Sequence, residues 1–251
     1  MSFTKSTLGI HVYAAPLVPA DKRPLAVVQG MERALSGLRL EWTVSDEHQL
    51  ISLPLRDEWM TRSIRNGGFP ILCNADESHP VTVFGLAISG SAGPGGQALF
   101  DVHAELPLES SVITAAVDLL EGVADGSQAF WGHATPFDAS AEIAQQTVSP
   151  HLPREPPRGL PKLKRPKDIR SPEIPHRLGW LNYWSSAAAR ALGFPDPARD
   201  AELLSRARRT PSGGWIVSLT EAPLDLDLPA HLDALLRAYE RFPEVGGRVG
   251  P

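Results

Sequence analysis

The sequence predicts an α+β protein built on a mainly antiparallel sheet packed with helices. Two observations carry this prediction. Runs that suit strands follow one another with only a glycine-rich turn between them, as at residues 81–88 and 97–106. Helical runs are interspersed irregularly instead of alternating with every strand. The chain has 251 residues, which is enough to bury one sizeable core.

The first third of the chain begins with the alternating residues Leu8, Ile10 and Val12, which predict a short strand. A helix then opens at Pro24, because proline is favoured in a first helical turn, and it approaches its end at Gly37. The elements expected next are strands at 40–44 and 50–53 and a short helix over 55–65.

The segment 97–106 alternates strictly between two faces. Phe100 and Val102 belong to the apolar face, while Asp101, His103 and Glu105 share the other. Together with residues 81–88 and the turn at 89–96, this pattern predicts a hairpin with one buried and one wet face. A helix capped by a serine at 110 or 111 and a strand at 128–133 follow.

Residues 150–175 contain eight prolines, interspersed with Lys and Arg. Each proline removes a backbone donor and fixes φ, so we expect a basic surface loop or linker without packed elements. Residues 1–149 and 176–251 are expected to share one sheet, because neither part alone closes a two-layer core. The second part is predicted to contain a helix at 185–192, a strand at 213–219 and a helix from Pro229.

The charge is unevenly distributed along the chain. Residues 1–150 carry 8 Lys/Arg and 17 Asp/Glu, whereas residues 151–180 carry 8 and 3. An acidic body repels phosphate backbones, so a nucleic-acid partner is not expected, and a basic protein partner would be attracted. The single cysteine, Cys73, fits a reducing compartment, and no apolar run is long enough to span a membrane. These features predict a cytoplasmic protein.

Recognisable catalytic motifs are missing. The glycine-rich stretch 90–96 lacks the Gly-Lys-Ser/Thr ending of a phosphate-binding loop, and position 87 is Ala, so G-x-S-x-G is not met for Ser89. H-E-x-x-H is also missing. We therefore expect no catalytic residue, no cofactor and no metal, and a protein that works by binding a partner.

Two acidic groups are the candidate partner-binding residues. The first consists of Asp101, His103 and Glu105 on one strand face, which with His133 could alternatively form a metal site or an acid–base pair. A solvated sheet face is the more common meaning of such a pattern. The second consists of Asp225 and Asp227 in a Pro-flanked loop, which could meet a basic partner or simply be solvated.

The aromatic run at residues 179–184, GWLNYW, has two possible roles. Trp180, Tyr183 and Trp184 could form a binding platform, but tryptophans so close together more often anchor a core or a domain seam. We therefore predict that this run is part of the core.

The order of elements is distinctive in both parts of the chain. The N-terminal part has the first strand and helix, the hairpin, and the helix followed by a strand with Trp131. The C-terminal part has the G-W-x-x-Y-x-S block from Gly179, the strand from Gly213, and the Pro-x-His-Leu helix from Pro229. This order resembles immunity-protein family 52 of bacterial polymorphic toxin systems. The resemblance covers most of the chain except roughly 135–175. The chain is also similar to a group of uncharacterised myxobacterial proteins.

This resemblance implies a protein that binds and neutralises a cognate toxin delivered between bacteria, often a nuclease of the restriction-endonuclease type. The expected mechanism is occlusion, in which an acidic surface covers a basic active cleft. Two alternatives stay open. One is an enzyme whose site assembles from dispersed His, Asp and Glu residues. The other is an adaptor that docks through the Pro-rich basic segment.

Overall fold

The computed structural model describes residues 6–64, 67–148 and 155–248. Within these ranges there are ten strands and seven α-helices. The strands are β1 (Thr7–Ala14), β2 (Trp42–Val44), β3 (Leu50–Ser52), β4 (Phe69–Cys73), β5 (Thr82–Ile88), β6 (Leu99–Pro107), β7 (Ala129–Pro136), β8 (Leu181–Trp184), β9 (Ala207–Arg209) and β10 (Trp215–Ser218). The helices are α1 (Arg23–Ala34), α2 (Arg56–Ser63), α3 (Ser110–Ser127), α4 (Phe137–Ala144), α5 (Ser186–Ala191), α6 (Ala201–Ser205) and α7 (Pro229–Arg241).

All ten strands form one sheet in the order β3-β2-β4-β5-β6-β1-β7-β8-β10-β9. Every neighbouring pair is antiparallel. The predicted α+β class with an antiparallel sheet is therefore confirmed. Strand β8 pairs with β7, so strands that precede and follow the Pro-rich segment belong to the same sheet.

One face of the sheet is covered by α1 and α3, and we call it the helix-pair face. The two helices approach closely at Gly30 and Gly122, where a Cβ on Gly30 would lie 2.4 Å from the carbonyl oxygen of Gly122. The guanidinium of Arg23, in α1, lies over the ring of Phe100 on this face. The alternate residues Leu8, Ile10 and Val12 are fully buried, as the period-two pattern predicts.

The opposite face contains His11, and we call it the histidine face. Trp184 belongs to this face, and its ring meets those of Phe194 and Phe242, the latter immediately after α7. Each pair of rings has centroids about 5 Å apart in an edge-on arrangement, which aromatic pairs prefer. Helix α7 and its flanks therefore cover the C-terminal side of the histidine face.

Residues 155–178, which we call the proline strap, pack against the domain. Its described part contains two short 3₁₀ turns and neither an α-helix nor a named strand. Its apolar side chains nevertheless enter the core: Leu160, Leu163, Ile169 and Ile174 are each at most 3% exposed. The segment is free of helix and strand, as expected of a surface loop, but these buried side chains show that it packs against the domain instead of being a freely solvated linker. Positions 150–154 lie outside the described residues.

Backbone hydrogen bonds fasten the proline strap at several points. Leu163 N–H donates to Gln146 O, and Lys164 N–H donates to Gly246 O. Gly95 N–H donates to Ile169 O at 2.7 Å. The glycine-rich turn at 89–96 is therefore docked on the strap through Gly95.

Five elements were not predicted from the sequence, namely β4, α4, α6, β8 and β9. Strand β8 has all four residues buried, so it shows no alternation between polar and apolar positions. Strand β4 contains Pro70, a residue that strands usually exclude. Helix α4 begins directly after the last residue of β7, so no loop separates the two.

Candidate functional site

A row of polar and aromatic residues crosses the centre of the histidine face. His11 in β1 lies opposite His103 in β6 on one side and His133 in β7 on the other. Phe84 in β5 and Asn182 in β8 continue the row at its two ends. Antiparallel pairing brings these residues together because directly opposite side chains point to the same face.

Two members of this row, His11 and His103, form a compact cluster with Asp101, which lies beside the row two positions before His103 in β6. Each offers a ligand atom, and these atoms all lie within 4.8 Å of one another. His103 Nε2 is 2.8 Å from Asp101 Oδ2. The ring centroids of His11 and His103 are 4.2 Å apart, and Phe84 stacks on the other side of His103. Two imidazoles and a carboxylate are therefore held within reach of a single bound atom.

Asp101 differs from the sequence-based expectation of a wet face. The residue is only 7% exposed, and its Oδ1 has no hydrogen-bond partner within the described ranges. Glu105, four positions further along β6, is exposed as expected. The expectation of a wet face is thus wrong at Asp101, because Tyr13 and Leu86 on the neighbouring strands lie directly beside it.

Burial keeps the groups around the cluster neutral. The pKa of His11 is lowered to about 3, first by burial and then by the nearby charges of His103 and Arg177. The pKa of Tyr13 is raised, mainly by burial and further by the carboxylate of Asp101. At neutral pH, His11 is therefore an uncharged imidazole with a lone pair available.

His133 lies beside the cluster but has its own polar partners. Its Nδ1 is 3.2 Å from the hydroxyl oxygen of Thr135, and that hydroxyl accepts a hydrogen bond from Trp180 N–H. Burial lowers the pKa of His133 well below the ordinary value for histidine. Gly179 packs tightly here, since a Cβ on it would be 2.1 Å from Thr135 Oγ1. His133 is therefore a packed neighbour of His11 rather than a further arm of the three-residue cluster.

Asp225 and Asp227 lie elsewhere, in an acidic cleft of about 380 Å³. The cleft is lined by residues from the chain before β1, the ends of β6 and β7, helix α4 and the loop before α7. Its carboxylates are Asp138, Glu142, Asp225 and Asp227. Arg158 of the proline strap bonds Glu142 and Asp227, each at 2.6 Å, and these hydrogen bonds raise the pKa of its guanidinium. Within the described ranges, Asp138 and Asp225 form no ion pair, so the cleft keeps a negative charge.

The aromatic run before and within β8 is part of the core. Trp180, Tyr183 and Trp184 are each at most 3% exposed. Trp180 Nε1–H donates to Thr220 O, which satisfies its polar atom inside the protein. The prediction that this run belongs to the core is confirmed, and these residues do not form an exposed binding platform.

His11 is the member of the cluster that sequence reasoning missed. Its side of β1 is implied by the alternation of Leu8, Ile10 and Val12, which places Gly9, His11 and Tyr13 opposite. The sequence did not indicate that β1 would pair with β6 in a register that opposes His11 and His103. That pairing joins segments about ninety residues apart.

The fold and these sites define an α+β protein with an apolar helix-pair face and a polar, histidine-containing face. The chain belongs to the family described as a domain of unknown function, DUF5953, whose model matches residues 19–250. Its fold is similar to that of the Pseudomonas aeruginosa T6SS protein PA0821. That comparison has a TM-score of 0.57 and 15% identity, and covers 94% of this chain and 73% of the other. No curated protein sequence matches the chain. Among the described residues, the helices are all too short or too polar to cross a membrane.

Proposed function

We propose that this chain is an immunity-type protein that binds a cognate bacterial toxin and neutralises it by covering its active surface. The observation that carries the proposal is the acidic cleft. Its four carboxylates come from two parts of the chain, helix α4 and the loop before α7, and among the described residues Arg158 is the cation that pairs with them. A surface of this kind suits a basic partner, such as the substrate-binding cleft of a nuclease.

Two further observations support the proposal. The order of residues in the chain resembles immunity-protein family 52, and the fold is shared with a T6SS protein. The exposed carboxylates of Asp138 and Asp225 are free to pair with arginines or lysines of a partner. Charges of this kind mainly accelerate association, and the affinity then depends on buried contacts. Neutralisation would take place in the cytoplasm, which the single, buried Cys73 suits.

The test is growth rescue by co-expression. The protein encoded next to this chain is expressed in a bacterial host alone and together with it, and growth is recorded. Toxicity alone, with growth restored by this chain and a stoichiometric complex on size-exclusion chromatography, is the expected result. A neighbour that is harmless alone, or that kills equally in the presence of this chain, would contradict the proposed function.

The cleft is tested separately with the charge-reversal variant Asp138→Lys/Asp225→Lys. We expect its association rate with the toxin to fall by about tenfold or more at low salt, since opposing charges no longer steer the encounter. The matched control is Asp46→Lys/Glu47→Lys, which makes the same change of charge at exposed positions between β2 and β3. Equal association rates for the two variants would show that the toxin binds outside the cleft, and they would not contradict the proposed function.

A further inference from the structure

The cluster of His11, Asp101 and His103 lies outside the acidic cleft, and the proposed function does not use it. We propose that it binds a divalent transition-metal ion of the Zn²⁺ type. The inference is independent of toxin binding. It rests on the donor set, on the spacing of the three groups and on a buried carboxylate oxygen without a partner.

The donor set suits this class of ion. Imidazole nitrogen is a preferred ligand of Zn²⁺ and the other late first-row metals, and a carboxylate completes many such sites. Purely oxygen-ligated sites are typical of Mg²⁺ and Ca²⁺. Two histidines with one aspartate therefore favour a transition metal, with the remaining position filled by water or a partner's side chain.

The distances between the three ligand atoms need only small changes to suit a bound Zn²⁺. Ligand atoms around a tetrahedral Zn²⁺ are roughly 3.3 Å apart, given bonds of about 2.0 Å. The three ligand atoms here lie within 4.8 Å of one another, and the pair His103 Nε2 and Asp101 Oδ2 is at 2.8 Å. Binding would replace that hydrogen bond with two bonds to the ion, and the imidazole proton of His103 would reside on Nδ1.

The second, independent observation is the carboxylate of Asp101. Its side chain is nine-tenths buried, and the oxygen that does not contact His103 is left without a hydrogen bond within the described ranges. A buried carboxylate oxygen without a hydrogen bond is energetically unfavourable, so such atoms usually indicate a partner. A bound cation would neutralise this carboxylate.

The surroundings place the ligands rigidly and include one opposing charge. Phe84 stacks on His103, and β1 and β6 hold His11 and His103 in direct register. Arg177 of the proline strap acts on His11 and disfavours positive charge there. Glu105, exposed on the same side of β6, adds a second carboxylate near the cluster.

The experiment titrates the metal-free full-length protein with ZnCl₂ by calorimetry, and with Co²⁺ by visible absorption. We expect one equivalent of Zn²⁺ at micromolar affinity or tighter, and the intense visible bands of four-coordinate Co²⁺. The variants Asp101→Asn, His103→Gln and His11→Gln should each weaken Zn²⁺ binding by at least about tenfold. The control His48→Asn removes an exposed histidine of the β2–β3 turn and should leave binding unchanged.

Two results would overturn the site. One is a wild-type protein that binds no Zn²⁺ or gives only the weak, six-coordinate spectrum of hydrated Co²⁺. The other is a Zn²⁺ affinity that is the same in all three variants as in the wild type. Circular dichroism identifies any variant that fails to fold, and a wild-type protein without the four-coordinate Co²⁺ spectrum overturns the site whether or not the variants fold.

Discussion

The two faces of strands β1, β6 and β7 are made by alternate residues of the same strands, yet they are covered in different ways. The helix-pair face is closed by backbone contact between α1 and α3 over fully buried aliphatic side chains. The histidine face is closed by α7 and the proline strap through hydrogen bonds and ion pairs in addition to aromatic contacts at Trp184. The difference separates two tasks, because the apolar face supplies core burial while the polar face keeps groups that can bind ligands.

The hydrogen bonds and ion pairs that close the histidine face are clearest at Asp200 and at Tyr239. Asp200 is fully buried, and its carboxylate accepts two hydrogen bonds from Arg241 in α7, at 2.5 and 2.9 Å. The hydroxyl of Tyr239 accepts hydrogen bonds from Gln146 Nε2 and from Leu178 N–H of the proline strap. These bonds connect α7 to the rest of the domain by directional contacts that tolerate little change.

The largest effect on stability is expected from the substitution Arg241→Met in α7. The substitution leaves the buried carboxylate of Asp200 without its charged partner, which should lower the free energy of unfolding by about 3–5 kcal/mol. Urea denaturation measures the change. Its control is Arg165→Met, which removes the half-exposed pair with Asp168 and should cost less than about 1 kcal/mol. Equal losses in the two variants would show that α7 does not depend on this ion pair.

A smaller effect is expected on the helix-pair face from Gly30→Ala. The new Cβ would lie 2.4 Å from the carbonyl oxygen of Gly122, so α1 and α3 must move apart. We expect a net loss of about 1–3 kcal/mol in unfolding free energy, although alanine alone favours a helix by up to about 1 kcal/mol. Arg33→Ala, at an exposed position of the same helix, is the control. A Gly30→Ala protein as stable as the wild type would mean that the helices are not in close contact.

The smallest effect is a pH dependence that only the histidine face should show. Burial, with Arg177 nearby, lowers the pKa of His176 to about 3, against 6.5 for an unperturbed histidine. Below pH 6.5 the unfolded chain therefore takes up a proton that the folded protein refuses, and stability falls as the pH decreases towards 3. Between pH 7.0 and 5.5 this residue should contribute a loss of about 1.3 kcal/mol.

The measurement compares urea denaturation at the two pH values for the wild type and for His176→Gln, which can still donate to the carbonyl of Lys164. The variant should lose less stability than the wild type over this interval. His48→Asn, at an exposed turn, should match the wild type. A wild type and a His176→Gln protein with the same pH dependence would show that His176 is not held neutral.

The helix-pair face was largely predictable from the sequence, whereas the histidine face was not. Alternation at Leu8, Ile10 and Val12 and the helical spacing before Gly37 depend on local periodicity, which a sequence displays directly. The cluster depends on which strand pairs with β1 and in what register, and no local pattern contains that information. Strand β8 and the packing of the proline strap could not be predicted for a related reason. A strand that is buried on both faces, and a buried segment without regular structure, show no periodic pattern of polar and apolar residues.

The position of β1 in the sheet has a consequence for synthesis on the ribosome. Among the ten described strands it is made first, yet it lies in the interior between β6 and β7, whose residues come about ninety or more positions later. At a synthesis rate of about 5–20 residues per second, several seconds pass between the synthesis of β1 and that of β6 and β7. During this time β1 lacks the two strands with which it pairs. Pairings between such distant segments also form slowly. We expect newly made chains to need a chaperone, or a cool growth temperature, more than the stability of the finished fold would suggest.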